Sequence, residues 1–194
     1  MLGELLPDGD ISSHGIDALA YGCGPGSFTG LRIAASAVQG LAYTSQLPVV
    51  AVSTLAAIAQ ASLRKGVSTE GSTVLCTLDA RINEVYSAVY HFREGLAVLL
   101  DGPQVCAPGD IDYTCDGPLC GVGSGLRFLD DFAPRLATRI LQHDSELLPA
   151  AEDLIPLAIE KLQRGETQAP GQVQPVYVRD EITWKKISQQ GKRD

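Results

Sequence analysis

The sequence lacks the features that would assign it to several large classes of protein. It has no apolar run long enough to span a membrane, because the longest runs, such as residues 97–100, are only a few residues. Residues 1–15 are acidic and contain proline, so no secretory signal is predicted. The five cysteines include no CxxC pair and the three histidines are isolated. We therefore expect no metal site, and reduced thiols in a cytoplasmic protein.

Positive charge is also scarce. Lysine and arginine number 15 against 23 aspartate and glutamate residues, which gives a formal net charge of −8. A protein that binds nucleic acid by itself normally presents a basic surface, so we expect no strong direct binding of nucleic acid. One basic cluster lies near the end of the chain, and its ordinary interpretation is a solvated tail: Lys185, Lys186, Lys192 and Arg193.

What the sequence does contain is typical of a globular α/β protein with two lobes. Apolar residues make up 45% of the chain, which is an ordinary value for a folded domain. Periodicity predicts strands at 16–21, 48–52, 73–78, 84–92, 96–100, 119–122 and 139–142, and helices at 31–43, 53–63 and 153–164. The predicted units are a first lobe over 1–66, a second lobe over 72–150, a returning helix over 151–165 and an extended segment over 170–194.

A glycine-rich loop between the first strand and the first long helix is the sharpest local signal. Glycines let a backbone approach a ligand closely, and the following helix offers free N–H groups that suit an anion. With Thr29 as the expected N-cap, the loop is a candidate anion or nucleotide site: Gly24, Pro25, Gly26, Ser27, Phe28, Thr29, Gly30 and Arg32. It matches neither the P-loop nor GxGxxG, and a tight turn before a close-packed helix is the alternative.

A second set of polar residues ends the strand that begins at residue 73. Asp79 could hold a water or a magnesium ion, or Asp79, Arg81 and Glu84 could neutralise one another around a turn. The second, structural interpretation is the more ordinary one. The aromatic residues that follow on the next strand are likewise expected in the core rather than as a platform for a base. Ser27 would need a neighbouring base to act as a nucleophile, which the sequence does not supply.

Five ordered motifs resemble the TsaB (YeaZ) family of bacterial proteins for threonylcarbamoyladenosine biosynthesis. They lie at residues 24–32, 52–55, 79–86, 148–153 and 175–186, and the stretch 93–146 matches more loosely. The resemblance implies the two-lobed, ribonuclease-H-like fold of the actin-like ATPase superfamily. It also implies that the strand at 16–21 is the fourth of its lobe. The first residue is therefore expected to be internal, through a misassigned start or a truncation.

The resemblance implies a non-catalytic accessory subunit without a metal. Its partner would be TsaD, which transfers the threonylcarbamoyl group to adenosine 37 of tRNA, and it would support recruitment of the ATPase TsaE. A homodimer is also implied, with no tightly bound cofactor but with ATP or ADP at the interface of the complex. Our candidate for part of the partner face is Leu31, Ala35 and Val38.

The alternative function is an ATP-dependent small-molecule kinase, or a nucleotide-binding module, of the same superfamily. That function would need a second loop on the adenosine side of the nucleotide. Residues 121–125, with three glycines, could supply it, although a turn from strand to helix is the simpler interpretation.

Overall fold

The computed structural model describes residues 2–5, 7, 11 and 14–178. Helices are α1 (Leu2–Leu5), α2 (Phe28–Ser45), α3 (Thr54–Arg64), α4 (Pro134–Ala137) and α5 (Ala151–Gln163). Strands are β1 (Leu19–Gly24), β2 (Val49–Ser53), β3 (Thr73–Arg81), β4 (Glu84–Arg93), β5 (Leu96–Cys106), β6 (Leu119–Val122) and β7 (Ile140–Asp144). Short 3₁₀ segments lie at Pro108–Asp110, Ser124–Asp131 and Pro170–Gln172.

The first lobe contains β1 and β2 as a parallel pair, with α2 between them in sequence. β1 begins and ends three residues later than predicted, and its last residues Gly22 and Gly24 pair with Val52 and Ser53 of β2. α2 begins at Phe28 rather than at Leu31. Its N-cap is Ser27 and not Thr29, since the Ser27 hydroxyl accepts a hydrogen bond from the Gly30 amide (3.4 Å).

The second lobe is built on a five-stranded sheet with the order β5-β4-β3-β6-β7. β3, β4 and β5 form an antiparallel meander, and β6 and β7 run parallel to β3. This combination of a meander with added parallel strands is the ribonuclease-H-like arrangement. β5 runs on to Cys106, six residues beyond the predicted end of this strand at residue 100.

The sheet of the second lobe is covered on both faces, which explains its apolar strands. One core lies between the sheet and α3 and α5, and includes Ala88, Tyr90 and Phe92. The other core includes Val85 and Val89, from the opposite face of the same strand. The prediction that the aromatic residues of β4 are core residues is confirmed for Tyr90 and Phe92, which are almost fully buried.

Helix α5 returns from the second lobe and contacts α3, β1 and β2 of the first. It begins at Ala151, two residues before its predicted start, so Pro156 lies in its second turn. An ion pair fastens it in place, because the Arg64 guanidinium donates to both oxygens of Asp153 (2.7 and 3.0 Å). The two lobes are therefore joined through α3 and α5.

Within the described part of the chain, no helix has both the length and the apolar character needed to cross a bilayer. The basic cluster formed by Lys185, Lys186, Lys192 and Arg193 lies outside the described residues, as does most of the motif at 175–186. The proposed limits of the lobes stay predictions. Residues 65–72 do separate α3 from β3.

Candidate functional site

The two polar motifs singled out in the sequence face each other across one groove. The groove has a volume of about 730 Å³ and runs between the loop before α2 and the end of β3. Residues 174–178, which we call the strap, supply three of its lining residues. The lining residues come from all three segments and from β4: Pro25, Gly26, Ser27, Phe28, Leu31, Arg32, Leu78, Asp79, Ala80, Arg81, Tyr86, Val176, Tyr177 and Val178.

Gly24 is the glycine that this loop requires. Its φ is +126°, and a Cβ there would lie 2.6 Å from the carbonyl oxygen of Val176. The Val176 amide donates to the Cys23 carbonyl (2.8 Å), which holds the strap at this position. A Cβ at Gly26 or at Gly30 would make only ordinary van der Waals contacts. The absence of a side chain at Gly24 thus allows the strap of the same chain, and not only a ligand, to lie close to the loop.

Arg32 lies at the mouth of the groove, but its side chain is already engaged. Its Nε donates to the Tyr177 hydroxyl (3.1 Å), and its guanidinium carbon lies 3.9 Å from the ring centre of Phe28. The Phe28 and Tyr177 rings are 6.0 Å apart and tilted by 32°. The remaining guanidinium N–H groups keep their capacity to bind an anion. Arg32 is thus both a support for the strap and a candidate cation for a ligand.

Asp79 is paired by a residue that the sequence analysis missed. Arg127 donates to one carboxylate oxygen (2.8 Å), and the Arg81 amide donates to the other (2.8 Å). The Arg81 guanidinium is 85% exposed and approaches Asp79 only to 4.0 Å. The main cation beside Asp79 is therefore Arg127 and not Arg81. Proximity in sequence could not reveal this pair, because Arg127 follows β6 and lies 48 residues after Asp79 in the chain.

Nothing in this arrangement favours a metal at Asp79. Both of its oxygens accept hydrogen bonds from the chain, and Glu84, on β4, also has an interaction of its own. Across the residues that the structure describes, no group of three histidine, cysteine, aspartate or glutamate side chains could hold a metal ion.

The candidate partner face is wrong in two of its three residues. Ala35 and Val38 are buried against β1 and β2 in the first lobe, with 5% and 8% exposure, because they form the inner face of α2. Leu31 lines the groove and would touch a side chain at Gly24. The outward face of α2 is also apolar, with small residues between its large ones: Ile33, Ala37, Gly40 and Tyr43. Ile33 and Tyr43 are 65% and 71% exposed.

The glycines at residues 121–125 serve packing. Gly123 has a φ of +95°, and a Cβ there would lie 2.3 Å from the carbonyl oxygen of Thr77. A Cβ at Gly125 would lie 2.7 Å from the Thr77 Cβ. β3 therefore fills the space into which a side chain at either of these two glycines would project. The interpretation as a turn from strand to helix is the one that this geometry supports.

Ser27 has the role of a helix cap and not the setting of a nucleophile. Its hydroxyl accepts from the Gly30 amide, and the described lining of the groove contains no histidine that could act as its base.

Comparison with known proteins gives close matches over most of the chain. The family model of TsaD, the tRNA N6-adenosine threonylcarbamoyltransferase, matches residues 1–118. The tRNA threonylcarbamoyladenosine biosynthesis protein TsaB of Escherichia coli K12 is 38% identical over 195 residues, covering 96% of this chain and 81% of the relative. Its counterpart in Haemophilus influenzae is 34% identical over 203 residues, covering 96% and 80%.

Solved structures agree with these sequence matches. YeaZ from Pseudomonas aeruginosa has a TM-score of 0.81 at 37% identity, covering 91% of this chain and 80% of that one. A second structure from the same organism, described as an uncharacterized protein similar to the peptidase YeaZ, has a TM-score of 0.82 at 37% identity. It covers 92% of this chain and 81% of its own.

Proposed function

The chain belongs to the TsaB family, and we propose that it is a non-catalytic subunit that pairs with TsaD for threonylcarbamoyl transfer to adenosine 37 of tRNA. The family places the chain in threonylcarbamoyladenosine biosynthesis, and the pairing and the absence of catalysis are the proposal. The observation that carries it is the outward face of α2. This helix is apolar on two sides, and only one of them is covered by the chain's own core.

The outward face of α2 has the composition of a helix-packing surface. Gly40 has open space where a side chain would project, and Ala37 is also small and exposed. Ile33 and Tyr43 lie on either side of them at helical spacing. Small residues let the backbone of a second helix come near, and the large ones supply apolar area for burial. A helix of TsaD is the proposed occupant, and without TsaD a second copy of this chain would use the same surface.

The chemistry of the groove favours an accessory role for this chain over a catalytic one. Ser27 caps a helix, and Asp79 is held by Arg127. A superfamily kinase would need a carboxylate free to engage magnesium and phosphate. We propose ATP or ADP as an occupant of this groove only within the complex, where Arg32 and Arg81 would supply positive charge. The net charge of −8 supports binding of tRNA by the partners, with TsaE joining the assembly in the cytoplasm.

The pairing is tested by co-purification and titration with TsaD. Ile33→Glu places a charge at the centre of the proposed contact and is expected to weaken the complex by about tenfold or more. Leu141→Glu is the matched control, because Leu141 is 75% exposed on β7, away from α2. A wild-type chain that forms no complex with TsaD would refute the pairing. An Ile33→Glu chain that binds as well as Leu141→Glu would refute the assigned face.

Catalysis and nucleotide binding are tested by calorimetry with magnesium and ATP. The isolated chain is expected to show no tight binding. Micromolar binding that depends on magnesium would contradict the scaffold and favour the kinase alternative. Analytical ultracentrifugation of the wild type and of Ile33→Glu tests whether two copies use the face of α2.

A further inference from the structure

The strap follows a firm anchor and then leaves the core. Val173, just before it, is 7% exposed and belongs to the core of the first lobe. Val176 and Tyr177 are 50% and 46% exposed, and residues 174–178 form no helix or strand. A segment with few buried contacts opens more easily than the fold as a whole. Val173 is therefore the natural hinge of the strap.

The strap nevertheless meets the loop before α2 through specific contacts of both main chain and side chain. The Val176 amide donates to the Cys23 carbonyl (2.8 Å), as in strand pairing. The Tyr21 hydroxyl donates to the Gln174 carbonyl (2.9 Å), and Arg32 donates to the Tyr177 hydroxyl (3.1 Å). These contacts recognise an extended backbone and one aromatic side chain.

The loop leaves space for the strap because it has a glycine, Gly24, at the point of contact. The Val176 carbonyl occupies the place where any side chain at Gly24 would project. Val176, Tyr177 and Val178 also line the groove, as do Asp79 and Arg81. The strap therefore occupies the space beside Gly24, on the side of the loop where the sequence predicts that an anion binds.

We propose that the surface of the glycine loop at Cys23, Gly24 and Arg32 is a binding site for an extended peptide, and that the strap occupies it in cis. A ligand of the glycine loop and the docked strap then exclude each other, so release of the strap is the step that opens the site. The inference rests on contacts within the chain and does not depend on pairing with TsaD.

Two variants at one position separate the backbone contact from the side chain. Val176→Pro removes the amide that donates to Cys23, and Val176→Ala keeps it. In the full-length chain, Val176→Pro is expected to raise hydrogen exchange of the amides of β1, against which the strap lies, by about tenfold, while exchange in β4 stays unchanged. Val176→Ala is expected to exchange like the wild type. Equal exchange in the two variants would overturn the proposal.

The opened groove is probed with the dye anilinonaphthalene sulfonate, which combines an apolar body with an anionic group. Its fluorescence is expected to rise with Val176→Pro and also with Tyr177→Ala, which decides the question if the proline variant does not fold. A synthetic peptide with the sequence of residues 173–180 is expected to reverse the rise when added in excess. A groove that opens but does not respond to the peptide would refute the peptide site.

Discussion

Removal of the Arg64 guanidinium, by the substitution Arg64→Met, is expected to loosen the joint between the two lobes. Arg64 donates to both oxygens of Asp153 (2.7 and 3.0 Å), and the Ala150 amide donates to one of them (2.7 Å). The Asp153 side chain has no exposed area, whereas 32% of the Arg64 side chain is exposed. Methionine keeps much of the packing volume, so the substitution mainly leaves a buried carboxylate with one partner.

Breaking a buried pair from one side typically lowers the free energy of unfolding by about 3–5 kcal/mol. Solvent reaches the Arg64 end of this pair, so we expect the lower end, about 3 kcal/mol. At about 2–4 °C for each kcal/mol in a chain of this size, the melting temperature should fall by about 6–12 °C.

Urea unfolding at pH 7, followed by circular dichroism, measures this change. The control is Glu152→Gln, because Glu152 also contacts Arg64 (3.0 Å) but its side chain is 59% exposed. That substitution is expected to change the free energy of unfolding by less than about 1 kcal/mol. If Arg64→Met is no more destabilising than Glu152→Gln, the inference that this pair joins the lobes is wrong.

The dependence of stability on pH gives a second measure of the ion pair between Arg64 and Asp153. Burial alone would raise the pKa of Asp153, but hydrogen bonds from Arg64 and the Ala150 amide outweigh it and hold the pKa below its ordinary value. A carboxyl whose pKa is lowered on folding stabilises the fold above its unfolded pKa of about 4, and this contribution is lost as the pH falls through the folded pKa. The difference in stability between wild type and Arg64→Met should therefore narrow below about pH 4.

Three further predictions concern single positions. Gly123→Ala should lower the free energy of unfolding by about 2 kcal/mol or more, because the new Cβ would meet the Thr77 carbonyl. Gly95→Ala is the control, since Gly95 also has a positive φ but lies in open space, and it should lower the free energy of unfolding by about 1 kcal/mol. Thermal melts in which Gly95→Ala is the less stable of the two would refute the packing role of Gly123. Ile82→Asn should raise stability by about 1 kcal/mol, because Ile82 has a φ of +55° on an exposed turn where asparagine is favoured; a lower melting temperature would contradict this. Cys115 should react first with a thiol reagent at pH 8, since burial raises the pKa of the other four thiols; mass spectrometry after brief labelling would show if another cysteine leads.

Local patterns in the sequence predicted most of the elements, because each pattern reflects a local constraint. Alternation placed β4 within one residue of its observed end, and the glycine at residue 66, with a φ of +71°, follows the end of α3. Boundaries failed where tertiary contacts extended an element. Pairing with β2 places β1 three residues later than predicted, and β5 gained six residues by pairing with β4.

The candidate site was predicted by its motifs but not by its contacts. Periodicity shows that α2 has an apolar face, yet it does not show which of two apolar faces turns inward, so Ala35 and Val38 were assigned to the wrong side. Arg127 meets Asp79 only because β3 and β6 are neighbours. In the same way, the need for glycine at residue 24 comes from Val176, about 150 residues further along the chain.

The return of α5 to the first lobe has a consequence for the nascent chain. Val50, Val52 and Leu55 share a core with Leu157, so their burial is incomplete until α5 has left the ribosome. About a hundred residues separate these positions, which corresponds to roughly 5–20 s of synthesis. Throughout that interval the emerging chain exposes the part of this apolar surface that α5 covers in the complete fold. The protein is therefore expected to depend on ribosome-associated chaperones during its synthesis more than its modest size suggests.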